Sequence, residues 1–232
     1  MFPLANPLEF QPGKMATVND IMTHIFPLLT ADRQKKISQV ASQRCFDLTV
    51  VLENIYDRGN TSAVMRSGEG LGFANFHVIE TFDKFKESNR VTQGADKWVQ
   101  IKKWKSTAEA IQHFKKNKIR ICVTSLEAAK PIHEVDFTTP TALILGNEKS
   151  GISKEILEAA DERAIIPMPG FVQSFNISVA GALCLYQIYQ NRLHKLGRNA
   201  DVTEEQIGIL KAQYALRTLD SAADILRLKL QL

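Results

Sequence analysis

Cysteine is scarce and scattered. The 232 residues hold three, Cys45, Cys122 and Cys184, with no Cys-x-x-Cys pair among them. An odd, dispersed set argues against a disulfide framework and against a cysteine-built zinc site, and it suits a reducing compartment. The five histidines, His24, His77, His113, His133 and His194, are equally dispersed and form no His-Glu-x-x-His pattern, so no metal is expected. No apolar run approaches the ~20 residues of a membrane-spanning helix. The first residues lack a basic-then-apolar signal pattern, because Pro3, Asn6 and Pro7 interrupt it. A cytoplasmic protein with no membrane partner is the expectation. Neither sign of charge dominates: a net charge of +4 permits local nucleic-acid contacts without demanding them. No repeat of solenoid period is present.

Several catalytic signatures are also missing. Gly68-Glu69-Gly70-Leu71-Gly72-Phe73 lacks the third glycine of a dinucleotide fingerprint, and its glycines fall inside a predicted helix. Lys149-Ser150 is preceded by Glu148 where a P-loop needs glycine. No Gly-x-Ser-x-Gly elbow exists, which removes one route to serine hydrolase chemistry.

What is present is a hydrophobic content of 44%, enough for one sizeable domain with appendages. Residues 1–14 carry three prolines and no periodicity, and read as a flexible or partner-packed arm. From Val18 to Gln43 the pattern is helical, with a break and second cap at Thr30-Ala31-Asp32. Strands are expected over 48–52, 76–79, 118–123, 141–145 and 164–166, and Lys97–Lys105 reads as an edge strand. In that last stretch, lysines interleaved with Trp98 and Trp104 would also suit RNA. Thr81 to Gly94 reads as a polar loop. Helices are expected after Asn60, from Ser106, over 153–160, from Asn176 or Ser178 towards Gly197, and from Thr203. A leucine-rich tail, Ser221 to Leu232, must bury Ile225, Leu226 and Leu228. Strands alternating with helices favour an α/β fold with a mostly parallel sheet flanked by helices. The division expected is a helical N-terminal extension over 1–45, a central domain over 46–197 and a helical C-terminal extension over 198–232.

Three stretches carry the chemistry. In the last, Ile166 to Ala180, Pro167 and Pro169 stiffen a loop between a strand end and a helix start, and Gly170 is read as a turn that a Cβ would forbid. A hydroxyl and a carboxamide at a helix start, Ser174 and Asn176, are suited to a polar ligand, although an ordinary strand-to-helix connection has the same composition. The other two are Asn54 to Gly72, with Asn60 and Arg66, and Leu143 to Ile152, with Glu148. In this order the three resemble the motifs of the SpoU (TrmH) family of RNA 2′-O-ribose methyltransferases, over roughly residues 47 to 195.

The resemblance implies a C-terminal trefoil knot of the SPOUT type, S-adenosylmethionine as cofactor, a homodimer formed through the last helix of the domain, and RNA as substrate. It implies catalytic roles for Asn60, Arg66, Glu148, Ser174 and Asn176. It implies cofactor contacts, mainly through backbone, at Thr124, Leu145, Gly146, Ile166, Met168, Ser174 and Phe175. It also suggests RNA contacts at Arg33, Lys36 and Arg44 of the N-terminal extension, and at Arg192, which would reach a partner's active site. Glu148 is expected to orient Arg66 or an RNA group. The family gives Arg66 the ribose hydroxyl proton. A guanidinium keeps its own proton below about pH 12, so we expect Arg66 to stay charged and stabilise the developing oxyanion. Helical extensions at both ends resemble the TrmH branch, which points to a guanosine of the tRNA D-loop. Ribosomal RNA is the alternative substrate, and a non-catalytic RNA-binding protein of the same fold is the alternative class.

Overall fold

The computed structural model describes residues 2–81, 94–126 and 129–231. The chain divides into a compact unit, Cys45–Asn199, and a discontinuous one made of Phe2–Arg44 and Ala200–Leu232. The discontinuous unit opens with a hairpin, Leu8–Gln11 (β1) against Lys14–Ala16 (β2), turned by Gly13 at φ 74°. This replaces the arm expected over the first residues. Leu8 and Ala16 are partners across the pair and are buried, so the short alternation is enough to fix a strand. Val18–His24 (α1) starts at a capping box between Thr17 and Asp20. Ala31–Ala41 (α2) starts at Thr30, whose hydroxyl accepts from the amide of Arg33 at 3.3 Å.

The central unit runs Cys45–Glu53 (β3), Arg58–Gly70 (α3), Phe73–Ile79 (β4), Gln100–Trp104 (β5), Thr107–Lys116 (α4), Arg120–Thr124 (β6), Lys130–Pro131 (β7), Thr141–Leu145 (β8), Lys154–Ala159 (α5), Glu162–Ile165 (β9) and Ile177–Leu196 (α6). Among the described residues seven strands form one sheet in the order β5-β4-β3-β8-β6-β9-β7, and every pairing there is parallel. The two-residue β7 has no signal in the sequence. Of the loop expected over Thr81 to Gly94, residues 82–93 lie outside the described residues. The Lys97–Lys105 stretch splits into a 3-10 turn, Ala95–Trp98, and β5 at the sheet's edge.

The strands are apolar in unbroken runs because both faces of the sheet are covered. Along β3, Val50 and Leu52 point into a core with Val64, Met65, Leu185 and Ile188 of α3 and α6. Val51 points the other way, to Ala110, Phe114 and Ile156 of α4 and α5. The α3 and α6 layer packs close. A Cβ on Gly68 would fall 2.6 Å from Phe76 Cζ, and one on Gly181 would fall 2.8 Å from Val64 Cγ2. At the other face Trp104 Nε1 donates to His77 Nδ1 at 3.1 Å, which fixes the neutral ring with its proton on Nε2. Burial, with help from His113 and Lys102, pushes the His77 imidazole down to about 3.

Glu204–Thr218 (α7) and Ala222–Leu230 (α8) complete the discontinuous unit, α7 starting at a Thr203–Gln206 capping box. Arg44, expected to meet RNA, is fully buried here. Its Nε donates to the Tyr214 hydroxyl at 2.9 Å and its guanidinium lies 5.6 Å from the ring centroid, so no phosphate can reach it. Arg33 and Lys36 remain exposed on α2. In the tail Leu226 is buried as expected, but Leu228 is 81% exposed, because it lies two residues on and so faces away.

Candidate active site

The site is built where β3, β6, β8 and β9 end. Asn54, the first residue past β3, adopts φ 50° and redirects the chain, and its side-chain oxygen accepts from the amide of Thr81 at 3.0 Å. Asp57 then caps α3, its carboxylate accepting from the amide of Gly59 at 2.6 Å. The helix therefore begins earlier than the sequence pattern suggested. Asn60 is inside its first turn, with its carboxamide available to other segments.

The second segment leaves β8 through Gly146. A Cβ there would lie 2.6 Å from the carbonyl carbon of Gly151 and from Ile152 Cγ1, so only glycine allows the loop to fold back. Asn147 and Gly151 exchange two backbone hydrogen bonds of 2.9 Å. The Asn147 side chain accepts from the amides of Lys149 and Ser150 at 2.8 and 3.0 Å, and donates to the carbonyl of Asn54 at 2.6 Å. At the far end of the loop the amide of Ser153 donates to buried Glu53 at 3.0 Å. Both ends of the loop are thus tied to the end of β3.

Between those ties Glu148 reaches across. It accepts from the Asn60 carboxamide and from the amide of Tyr56, each at 2.9 Å. Burial alone would raise its carboxyl, but the hydrogen bonds from Asn60, Tyr56 and their neighbours outweigh it and hold the group below the ordinary carboxylate value. The third segment joins through Asn176, whose amide group donates to Asn60 Oδ1 at 3.4 Å. Asn176, and not Ser178, caps α6: its side-chain oxygen accepts from the Ser178 amide at 2.8 Å and from the Ser178 hydroxyl at 2.5 Å. Glu148, Asn60 and Asn176 form a continuous polar chain joining all three segments.

Arg66 is not part of that chain. Six residues along α3 from Asn60, it lies about 120° round the helix, is exposed, and makes no hydrogen bond or ion pair with a described residue. The expected Glu148–Arg66 pairing is not formed, because the first segment's own donors take up the carboxylate. Arg192 is a second correction. It is buried in α6, with Nε on Asn199 Oδ1 at 3.1 Å and a terminal nitrogen on the Phe137 carbonyl at 2.9 Å, so it anchors the helix's C-terminal end and does not reach outward.

Behind the polar chain lies a cleft of about 560 Å³. Thr124, Gly146, Ile166, Met168, Ser174 and Phe175 line it, together with Glu148, Lys149 and Asn176. Leu145 is buried behind the wall. Ser125, Gln173 and Cys184 also line the cleft and were missed. Burial, then Cys122, pushes the Cys184 thiol up to about 12, so it is an inert wall. Tyr56, Asp57, Asn147 and Glu53 were missed as well. Asp57 had a visible signal as a capping residue; the other three act through partners about 90 to 100 residues away in the chain. Among the described residues no group of histidines, cysteines and carboxylates could hold a metal ion, and no helix is long and apolar enough to cross a membrane.

The profile of the SpoU rRNA Methylase family matches residues 47–186. The tRNA (guanosine(18)-2′-O)-methyltransferase of Escherichia coli K12 is 35% identical over 161 residues, covering 69% of this chain and 70% of that protein. The crystal structure of the Aquifex aeolicus TrmH/SpoU tRNA modifying enzyme superposes with a TM-score of 0.72 at 34% identity, over 79% of this chain and 95% of that one. The Streptomyces viridochromogenes SpoU methyltransferase AviRb, solved with the cofactor AdoMet, has the same fold, with a TM-score of 0.58 at 22% identity over 65% of this chain and 59% of that one.

Proposed function

The chain belongs to the SpoU rRNA Methylase family, and from that premise we propose that it transfers a methyl group from S-adenosylmethionine to the ribose 2′-hydroxyl of guanosine 18 in tRNA, the reaction named for its Escherichia coli relative. The observation that supports the reading is the Glu148–Asn60–Asn176 chain beside the cleft, which joins one expected site residue from each of three distant segments. The cleft suits the cofactor. Its volume is that of a small-molecule site, Ile166, Met168 and Phe175 offer apolar walls, and residues 167–175 have backbone groups without a hydrogen bond to a described residue. When bound, S-adenosylmethionine supplies a methyl group activated by its sulfonium.

The chain's residues do the rest. Backbone at Thr124, Leu145, Gly146, Ile166, Met168 and Phe175, with the Ser174 hydroxyl, holds the cofactor. Asn60, fixed by Glu148 and Asn176, orients the ribose, and orientation of this kind supplies up to roughly 7–11 kcal/mol of a barrier. Arg66, in the catalytic role that the family resemblance implies for it, stabilises the oxyanion that develops as the hydroxyl proton leaves to water or phosphate. An Arg66→Lys variant whose rate climbs steeply with pH towards the lysine range would instead make this side chain the base. Arg33 and Lys36 attract the RNA backbone. Two copies pair through α6, where Val179, Leu183 and Tyr186 occupy one face and are 46%, 41% and 54% exposed. We place the protein in the cytoplasm, and the knot implied by the resemblance comes with the same reading.

The test is to incubate the protein with S-adenosylmethionine and unmodified tRNA or ribosomal RNA, digest the RNA, and identify the methylated nucleoside. 2′-O-Methylguanosine from the tRNA D-loop is expected. Product from ribosomal RNA alone would move the substrate. Cofactor binding without product from either would favour a binding protein.

A further inference from the structure

Tyr56 presents its ring to solvent beside the polar chain just described, and it is 77% exposed. Its backbone is not free to follow: the amide is held by Glu148 at 2.9 Å, and the next residue caps α3. The ring is therefore an exposed aromatic on a fixed base. Lys149, the neighbour of Glu148 in the tied loop, holds its ammonium 5.0 Å from the centroid of that ring. An aromatic plane and a cation thus sit together at the mouth, contributed by two segments that are locked to each other.

We propose that Tyr56 and Lys149 form the RNA-side wall of the site, with the Tyr56 ring stacking on a nucleobase at or beside the target nucleotide and Lys149 facing a neighbouring phosphate. The inference rests on the methyltransferase reading and names residues that recognise its substrate. Position separates RNA from cofactor as the occupant. Tyr56 does not line the cleft, whereas Lys149 does. The ring is thus exposed outside the cleft, on a residue that shares the Glu148 carboxylate with Asn60, where the base and phosphates of an RNA can meet it. Sequence-specific RNA recognition relies on unstacked bases laid on aromatic rings, and a nearby cation neutralises the adjoining backbone.

The test uses the full chain and an unmodified tRNA transcript, with Tyr56→Ala, Tyr56→Phe and Lys149→Gln. Three readouts are taken for each: kcat and KM for methyl transfer, RNA affinity by fluorescence anisotropy across salt concentrations, and S-adenosylmethionine affinity by calorimetry. Tyr56→Ala should lower RNA affinity and kcat/KM by roughly ten-fold or more, with Tyr56→Phe close to wild type. Lys149→Gln should reduce the slope of log affinity against log salt by about one. Cofactor affinity should be unchanged in both Tyr56 variants, since Tyr56 does not line the cleft. Unchanged RNA affinity in Tyr56→Ala, or a cofactor affinity that falls as much as RNA affinity, would overturn the proposal. A wild-type protein that binds RNA but transfers no methyl group would contradict the function while leaving Tyr56 to be judged by the anisotropy series.

Discussion

The two loops that close the cleft are built in opposite ways. Residues 146–153 are tied at both ends to the end of β3, bridged internally between Asn147 and Gly151, and centred on a carboxylate that reaches Tyr56 and Asn60. Residues 167–175 make no hydrogen bond to a described residue, and Phe171 and Val172 are 109% and 66% exposed. Their glycines differ in the same sense. A Cβ on Gly146 collides with backbone at 2.6 Å, while one on Gly170 meets nothing within 4 Å. The second finding corrects the expectation that Gly170 is needed for its turn. The fold itself sets one wall of the cleft. The other is shaped by two prolines, without hydrogen bonds to the described residues.

The largest effect expected from breaking this contrast is that of Glu148→Ala. It releases Asn60 and Tyr56 together, and methyl transfer should fall on the order of 100-fold, since displacing a reacting group by an ångström has that consequence. Single-turnover rates would show it; a rate near wild type would mean the tied loop is not what positions Asn60. Next comes the same substitution in both loops. Gly146→Ala should destabilise the protein by about 1–3 kcal/mol in denaturant melts, and Gly170→Ala should stay within about 0.5 kcal/mol. Equal costs would erase the distinction. Cofactor binding should then slow amide exchange in the 167–175 loop more than in the 146–153 loop, which is protected beforehand.

Acid gives the smallest and most gradual effect. A histidine whose folded value is lowered stabilises the protein fully above its ordinary value of 6.5, and that contribution drains away as the pH falls towards about 3. His77→Gln should flatten the melting temperature over that range. Glu148, also held low, keeps the tied loop intact until the pH falls below 4.5. Loss of RNA methylation well above pH 4.5, in protein that is still folded, would contradict this role for Glu148.

Much of this was legible in the sequence because local rules carried it. The alternating elements gave the parallel sheet, Thr203 and Gln206 announced α7, and the residues of the polar chain stood in three recognisable stretches. What was hidden depends on partners far along the chain. Arg44 and Arg192 look like surface cations until Tyr214 and Phe137 are placed beside them. Asn147 gives no signal in a loop of polar residues; its role appears only when the carbonyl of Asn54 lies 2.6 Å away. The β7 strand is too short to have a pattern, and it exists because β9 offers it a free edge.

The most direct test of the central claim is transfer of a labelled methyl group from S-adenosylmethionine to unmodified tRNA by the wild-type protein and by Arg66→Ala and Asn60→Ala, with cofactor affinity measured alongside. Label should enter tRNA with the wild type and be almost abolished in both variants, with the cofactor still bound. Label that persists in Arg66→Ala, or a wild type that holds the cofactor and labels no tRNA, would contradict the account.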